Sequence, residues 1–158
     1  MIEIEKTAKN DFEVYYVNVS RFELTGVVFY KIKGTNTYHR EDGPAVIYGD
    51  GTKFWYYNGK LHRKDGPAHE TPDGLKEWWV NGKRHRVDGP AVTLDDGHKE
   101  WWINDIRHRE DGPAIIHTDG KIYWVLNGFY FNTKEEWFEE LTEEQKEKAL
   151  YSEYFIGS

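Results

Sequence analysis

Between residues 37 and 128 the apolar and polar positions recur with a period of 23, and no gap interrupts it. Each unit holds short alternating runs bounded by turn dipeptides, the pattern of half-buried strands joined as hairpins. Asp-Gly recurs at Asp50, Asp73, Asp96 and Asp119, and Asn-Gly at Asn58, Asn81 and Asn127, with Asn104–Asp105 as the one variant. Both dipeptides favour two-residue loops, whose central positions need positive φ. The unit therefore reads as a strand from Ala45 to Tyr48, a turn, a strand from Lys53 to Tyr57, a second turn, and a return through Lys60 to Arg63. Gly66–Pro67 and its equivalents mark one unit off from the next, because proline has no N–H for a ladder.

Counting outward from two-residue loops predicts the register. Around Asp50–Gly51, Val46 falls opposite Trp55; Val92 then meets Trp101, Ile115 meets Trp124, and His69 meets Trp78. Around Asn58–Gly59, Trp55 falls opposite His62, and the same count ends with Trp124 opposite Phe131. Opposed residues share a face, so a Val/Ile–Trp–His row is the expected core. The other face carries Tyr56, Trp79 and Trp102 beside Arg84 and Arg107. On it Phe54, Glu77 and Glu100 are opposed by Arg63, Arg86 and Arg109. The count also sets Glu70 against Glu77, a like-charge pair that is destabilising unless the register is locally bulged or something lies between them.

The flanks differ from the repeats. Residues 1–36 read as degenerate strands that have lost the consensus, as terminal repeats do, with alternation clearest over 11–33. Residues 133–158 read as an acidic helical cap. Thr133 with Glu136, and Thr142 with Gln145, form two capping boxes for helices over about 134–140 and 143–154. Trp137, Phe138, Leu141, Leu150 and Phe155 are available to cover the last hairpin.

Composition supports a sheet protein. Seven Trp, eleven Tyr and eight Phe imply a core of flat rings and β-branched residues. The net charge is −7, and residues 133–158 carry −5 of it, with eight acidic against three basic side chains. A nearly neutral body with an acidic tail does not suit duplex nucleic acid, which favours a basic face. There is no cysteine, so neither a disulfide framework nor a thiolate metal site is expected. No apolar stretch is long enough to span a bilayer and the N-terminus lacks a secretory pattern, so a cytoplasmic protein without membrane attachment is expected.

Within each unit stands His-Arg-x-Asp-Gly-Pro-Ala, beginning at His39, His62, His85 and His108. It invites a catalytic reading, with His as base, Asp as its orienter and Arg as anion binder. Four equivalent sets argue against that, since catalysis needs one well-placed set. At the fifth position Phe131 replaces the ring without its proton chemistry. Successive units are about 9–10 Å apart, whereas zinc ligands lie about 2 Å from the ion, so no shared metal site and no cofactor is expected. The bland reading of Arg86 and Arg109 is a salt-bridge ladder with Glu77 and Glu100, worth about 0–1 kcal/mol per exposed pair. Arg84 and Arg107 can stack on Trp79 and Trp102 for about 0.5–1 kcal/mol. Exposed Trp and Arg also dominate interface hot spots. Tyr56, Trp79, Trp102, Arg84 and Arg107, with Arg63, Arg86 and Arg109, are thus the candidate binding residues.

The 23-residue period, the aromatic strand and the Asn-Gly-Lys turn resemble the MORN repeat family. The likeness is greatest to MORN-like repeats of antitoxin-type proteins and to phage and viral proteins carrying HRxDGPA units. It covers residues 37–132, and departs from the common pattern by having His-Arg-x-Asp-Gly-Pro in place of a glycine-rich step. The resemblance implies a mainly β fold, an antiparallel meander of tandem hairpins used for binding rather than catalysis. Three functions are weighed. The first is a module that grips a partner protein, to neutralise or scaffold it, plausible for a phage inhibitor of a host defence protein or for an antitoxin. The second is a sponge holding a small nucleotide between Trp and Arg. The third is an enzyme. Whether the chain forms an oligomer is left open.

Overall fold

The computed structural model describes the backbone of residues 2–9, 12–19 and 26–154, and the side chains of residues 13–15 and 26–154. The protein is mainly β, an antiparallel meander of hairpin repeats ending in two short helices. It forms two compact units, Met1–Lys83 and Arg84–Ser158.

In the first unit β1 (Ile2–Lys9), β2 (Phe12–Val19) and β3 (Val27–Ile32) pair in sequence. They are followed in the same sheet by β4 (Val46–Ile47) and β5 (Lys53–Phe54). β6 (Tyr56–Tyr57) and β7 (Lys60–Leu61) form a separate small ribbon, after which β8 (His69–Glu70) pairs back onto β5 and then with β9 (Lys76–Glu77). β10 (Trp79–Val80) follows, and β11 (Lys83–Arg84) falls at the division between the two units. In the second unit β12 (Val92–Thr93), β13 (Lys99–Glu100), β16 (Ile115–Ile116) and β17 (Ile122–Leu126) repeat the meander. There β14 (Trp102–Ile103) and β15 (Ile106–Arg107) make the ribbon, and β18 (Phe129–Phe131) closes the last hairpin against β17. The sheet and the ribbon are thus two different hairpins in each repeat.

The Asn-Gly turns have the predicted geometry. Asn58 and Gly59 have φ of 48° and 76°, and the ladder pairs Tyr56 with Leu61 and Tyr57 with Lys60. Trp102 pairs with Arg107 and Trp124 with Phe131, as counted. The Asp-Gly turns correct the count by one residue. Gly51 donates to the Tyr48 carbonyl and Tyr48 to the Thr52 carbonyl, so three residues form the loop. Only the glycine takes positive φ, 96° at Gly51, while the Asp50 carboxylate accepts the Thr52 N–H at 2.8 Å. This is a turn with a left-handed third residue, the next most common hairpin loop. Val46 therefore pairs with Phe54, Val92 with Glu100, Ile115 with Tyr123 and His69 with Glu77. None of them faces a Trp. Glu70 pairs with Lys76 rather than with Glu77, so the like-charge clash does not exist.

The core is correspondingly different from the expected Val/Ile–Trp–His row. Its repeating centre is the alanine of each Asp-Gly-Pro-Ala: Ala45, Ala68, Ala91 and Ala114 are fully buried. Val46, Val92 and Ile115 are buried beside them, whereas Trp55, Trp78 and Trp101 are half-buried and only Trp124 is buried. Across the first sheet one face carries Tyr15, Phe29, Val46, Phe54 and His69, with Tyr15–Phe29 and Phe54–His69 stacked at 5.1 and 4.2 Å.

The cap forms as two helices, α1 (Lys134–Glu139) and α2 (Glu143–Leu150). Thr142 and Gln145 make the full capping box. At the first helix Thr133 accepts from Glu136, but the Glu136 carboxylate turns back to the Asn132 N–H instead. The second helix stops at Leu150, short of 154, and Leu150 itself is exposed while Ala149 is buried. Trp137, Leu141 and Ala149 close over Trp124 and Leu126, with Phe138 packed at the edge. Phe155 lies outside the described residues. Among the described residues no helix is long and apolar enough to cross a membrane.

Candidate functional site

The His-Arg-x-Asp-Gly-Pro-Ala segment folds into a loop fastened at both ends. The histidine reaches forward: Nδ1 of His39, His62, His85 and His108 accepts the backbone N–H of Asn58, Asn81, Asn104 and Asn127, at 3.1–3.3 Å. Accepting there leaves the ring proton on Nε2. His62 and His108 do fall opposite Trp55 and Trp101, as counted, donating their backbone N–H to the Trp carbonyls at 3.0 and 3.2 Å, and the imidazole adds a lone pair that holds the next Asn-Gly turn.

The arginine of the motif holds its own loop. Arg40, Arg86 and Arg109 donate through Nε to Asp42, Asp88 and Asp111 at 2.6–2.9 Å. Their Nη1, and that of Arg63, donates to the carbonyl of Pro44, Pro90, Pro113 and Pro67 respectively. Arg63 also pairs with Glu70 at 2.9 Å. The Arg86 bond holds the exposed Asp88 carboxyl below its usual pKa. Arg63 and Arg109 stack on Trp55 and Trp101, at 4.0 and 3.9 Å from the ring centroids. A Cβ on Gly66 or Gly112 would come within 3.0 and 2.9 Å of the guanidinium carbon, which explains a glycine there without positive φ. The expected Arg109–Glu100 rung is replaced by this local fastening.

Two concave surfaces lie beside these loops. In the first unit a groove of about 670 Å3 runs between the loops at Arg40–Asp42 and Arg63–Asp65, with Trp55, Tyr57 and His62 along it. In the second a groove of about 780 Å3 runs between the loops at Arg86–Gly89 and Arg109–Asp111, with Trp101, Ile103 and His108 along it. Trp55, Tyr57, His62 and Arg63 stand two periods before Trp101, Ile103, His108 and Arg109. The Trp floor, the His and the two Arg–Asp pairs of the site are therefore built twice from the same positions, whereas Glu41 and Lys64 of the first groove give way to Val87 and Glu110, and Lys148 comes from the C-terminal helix. Each lining carries three cations and three carboxylates: Arg40, Arg63 and Lys64 with Glu41, Asp42 and Asp65, then Arg86, Arg109 and Lys148 with Asp88, Glu110 and Asp111.

Of the sequence candidates, Arg63, Arg86 and Arg109 line the grooves. The others lie elsewhere. Trp102 is flanked by Arg107 at 4.6 Å and Arg84 at 5.5 Å, the anticipated cation–π stack, and its indole N–H donates to Glu100 at 2.7 Å. Arg107 further donates to Tyr130 at 2.6 Å and to Glu100. Burial works to raise the Glu100 pKa, but Arg107, His98 and Trp102 outweigh it and leave the carboxyl below its ordinary value. Tyr56 sits beside Tyr38 and Phe54; burial, then the neighbouring Tyr38 and Tyr48, push its hydroxyl up. Trp79 is half-buried and its carbonyl accepts the Arg63 N–H. The sequence reading missed the groove floor, Trp55 and Trp101, because the shifted register placed them in the core. The signal that could have found it was the Glu70–Glu77 clash. Among the described residues no group of three or more His, Asp or Glu side chains could hold a metal ion.

No protein-family model, curated protein or solved structure matches this chain.

Proposed function

We propose that the chain is a non-catalytic binding module that grips a partner protein, with the grooves beside the His-Arg-x-Asp loops as its contact surface. The observation that carries the reading is the recurrence, at a spacing of two periods, of a groove with a Trp floor, a His and two Arg–Asp pairs, whose lining is charge-balanced in both places. A surface of equal and interspersed charges around a half-buried Trp suits a polypeptide better than a polyanion, which favours an excess of cations. A nucleotide sandwich has less support, since Arg63 and Arg109 already cover Trp55 and Trp101 and already bond to loop acceptors. Neutralising a toxin or a host defence protein in a cytoplasm is the specific form that the resemblance to MORN-like antitoxin and phage proteins suggests.

The test is co-purification from the native host, comparing the wild-type chain with Asp42→Lys/Asp65→Lys. A specific protein retained by the first and released by the second supports the reading. A wild-type chain that retains no specific protein removes it.

A further inference from the structure

One groove of this type is already filled, and the chain fills it itself. Moving forward one period from the second-unit groove converts Arg86 into Arg109, Gly89 into Gly112, Trp101 into Trp124, Ile103 into Leu126 and His108 into Phe131. These are the residues that the C-terminal cap covers. Trp124 and Leu126 cluster with Trp137, Leu141 and Ala149, and Phe131 and Tyr154 pack against that cluster. The Trp137 indole N–H donates to the Arg109 carbonyl at 3.2 Å, and Gln145 donates to the Glu110 carboxylate at 2.6 Å. The Tyr154 ring lies 5.4 Å from the Arg109 guanidinium, on an arginine whose stack on Trp101 is at 3.9 Å. The Tyr154 ring is also 2.9 Å from where a Gly112 Cβ would stand. The cap thus occupies a groove-like site by three means: an aromatic ring on the loop arginine, donors to the loop's acceptors, and apolar contact with the floor.

From this we infer that the open grooves dock a partner's polypeptide segment of the same chemistry. An aromatic side chain lies on the loop arginine, and amide or ammonium donors reach the loop carboxylates. The inference rests on the partner-binding reading above and specifies its ligand. The arginine on which the cap's ring lies is the least exposed of the four: the Arg109 side chain, which also borders the second-unit groove, is 11% exposed, against 23% for Arg40, 25% for Arg86 and 30% for Arg63. At Gly43 and Gly66 the three nearest atoms to an added Cβ belong to Arg40 and Arg63, whereas at Gly112 a Tyr154 ring atom is among the three. Charge complements this arrangement. Glu41 and Asp42 are exposed in the first-unit groove, where Glu110 in the second unit meets Gln145. The floors differ in one respect that sets the ligand's depth. Trp124 has Asn132 where Trp55 and Trp101 have Arg63 and Arg109, so Trp137 reaches its ring at 4.7 Å. In the open grooves the arginine covers the Trp, and the docking aromatic meets the guanidinium instead.

The probe is a synthetic peptide of residues 143–154, which carries Gln145, Lys148 and Tyr154, titrated into the full chain and followed by NMR at the Arg40 and Arg63 Nε–H and the Trp55 indole. Saturable shifts at these groups are expected. Affinity should fall about tenfold or more when the peptide carries Tyr154→Ala, and similarly when the protein carries Glu41→Lys or Asp42→Lys. Glu41 is well exposed, so its replacement keeps the test valid if Asp42→Lys disturbs the loop. Absence of binding at millimolar peptide, or binding indifferent to all three changes, overturns the proposed ligand. If a host protein is nevertheless retained by the wild-type chain and lost from Asp42→Lys/Asp65→Lys, only the ligand chemistry was wrong. If that capture fails as well, the partner-binding reading falls with it.

Discussion

The imidazole of His62 accepts, at Nδ1, the backbone N–H of Asn81, nineteen residues further along the chain and at 3.1 Å. Asn81 opens the next Asn-Gly turn, so the most conspicuous residue of each motif ties its unit to the following turn. His62→Phe keeps the ring's bulk but offers no acceptor, and its loss is expected to cost about 1 kcal/mol, the net worth of one hydrogen bond. Urea unfolding of His62→Phe and of His62→Gln measures this. Two variants as stable as the wild type would mean that the bond contributes nothing.

Arg109 is held by four groups at once: the Asp111 carboxylate, the Pro113 carbonyl, the Trp101 ring and the Tyr154 ring. A lysine keeps the charge but has neither a planar face nor a fork of donors. Arg109→Lys should therefore destabilise by about 1–3 kcal/mol, summing a stacking contribution and one or two charge-assisted bonds. A thermal shift within error of the wild type would show that charge alone suffices there.

Glu100 supplies a pH dependence. Burial works to raise its pKa, but Arg107, His98 and the Trp102 indole outweigh that effect and depress it below the ordinary 4.5. A carboxyl with a lower pKa folded than unfolded adds stability above the unfolded value, and that stability is lost as pH falls through the folded one. Glu100→Gln should consequently destabilise at neutral pH, and the difference from wild type should shrink as pH falls through the folded-state pKa, below which the carboxyl is protonated in both states. Unfolding free energies measured from neutral to acidic pH check this; a penalty that does not change with pH contradicts it.

Trp137 is the largest fully buried side chain among the described residues and belongs to the cluster that closes the cap over Trp124 and Leu126. Trp137→Ala should destabilise the cap by about 3–5 kcal/mol, the usual range for a buried large aromatic residue. Limited proteolysis should then cut within residues 133–154 sooner than in the wild type. Unchanged cleavage would mean that the helices hold by other contacts.

Much of this architecture was legible because the repeat is local and periodic. Asn-Gly admits positive φ at both positions, so Tyr56–Leu61, Trp102–Arg107 and Trp124–Phe131 could be paired by counting. Asp-Gly looks equivalent in sequence but behaves differently, because the aspartate carboxylate captures the N–H two residues on and keeps its own φ negative. One extra loop residue then moves every side chain of the strand to the opposite face. The misplaced Glu70–Glu77 pair was the visible trace of that slip, and its resolution into Glu70–Lys76 and His69–Glu77 is what the electrostatics required.

The sequence by itself determined the hairpin repeat, the Asn-Gly turns, the two helix N-caps and the absence of a thiolate site, all of which depend on residues close in the chain. Only the tertiary structure decided that Ala45 and its equivalents form the core, that Arg63 and Arg109 lie over Trp55 and Trp101, and that the cap occupies a groove-like site. These depend on which face each strand presents and on contacts between neighbouring repeats within one compact unit. A one-residue change in a turn resets both, and no count along the chain can see it.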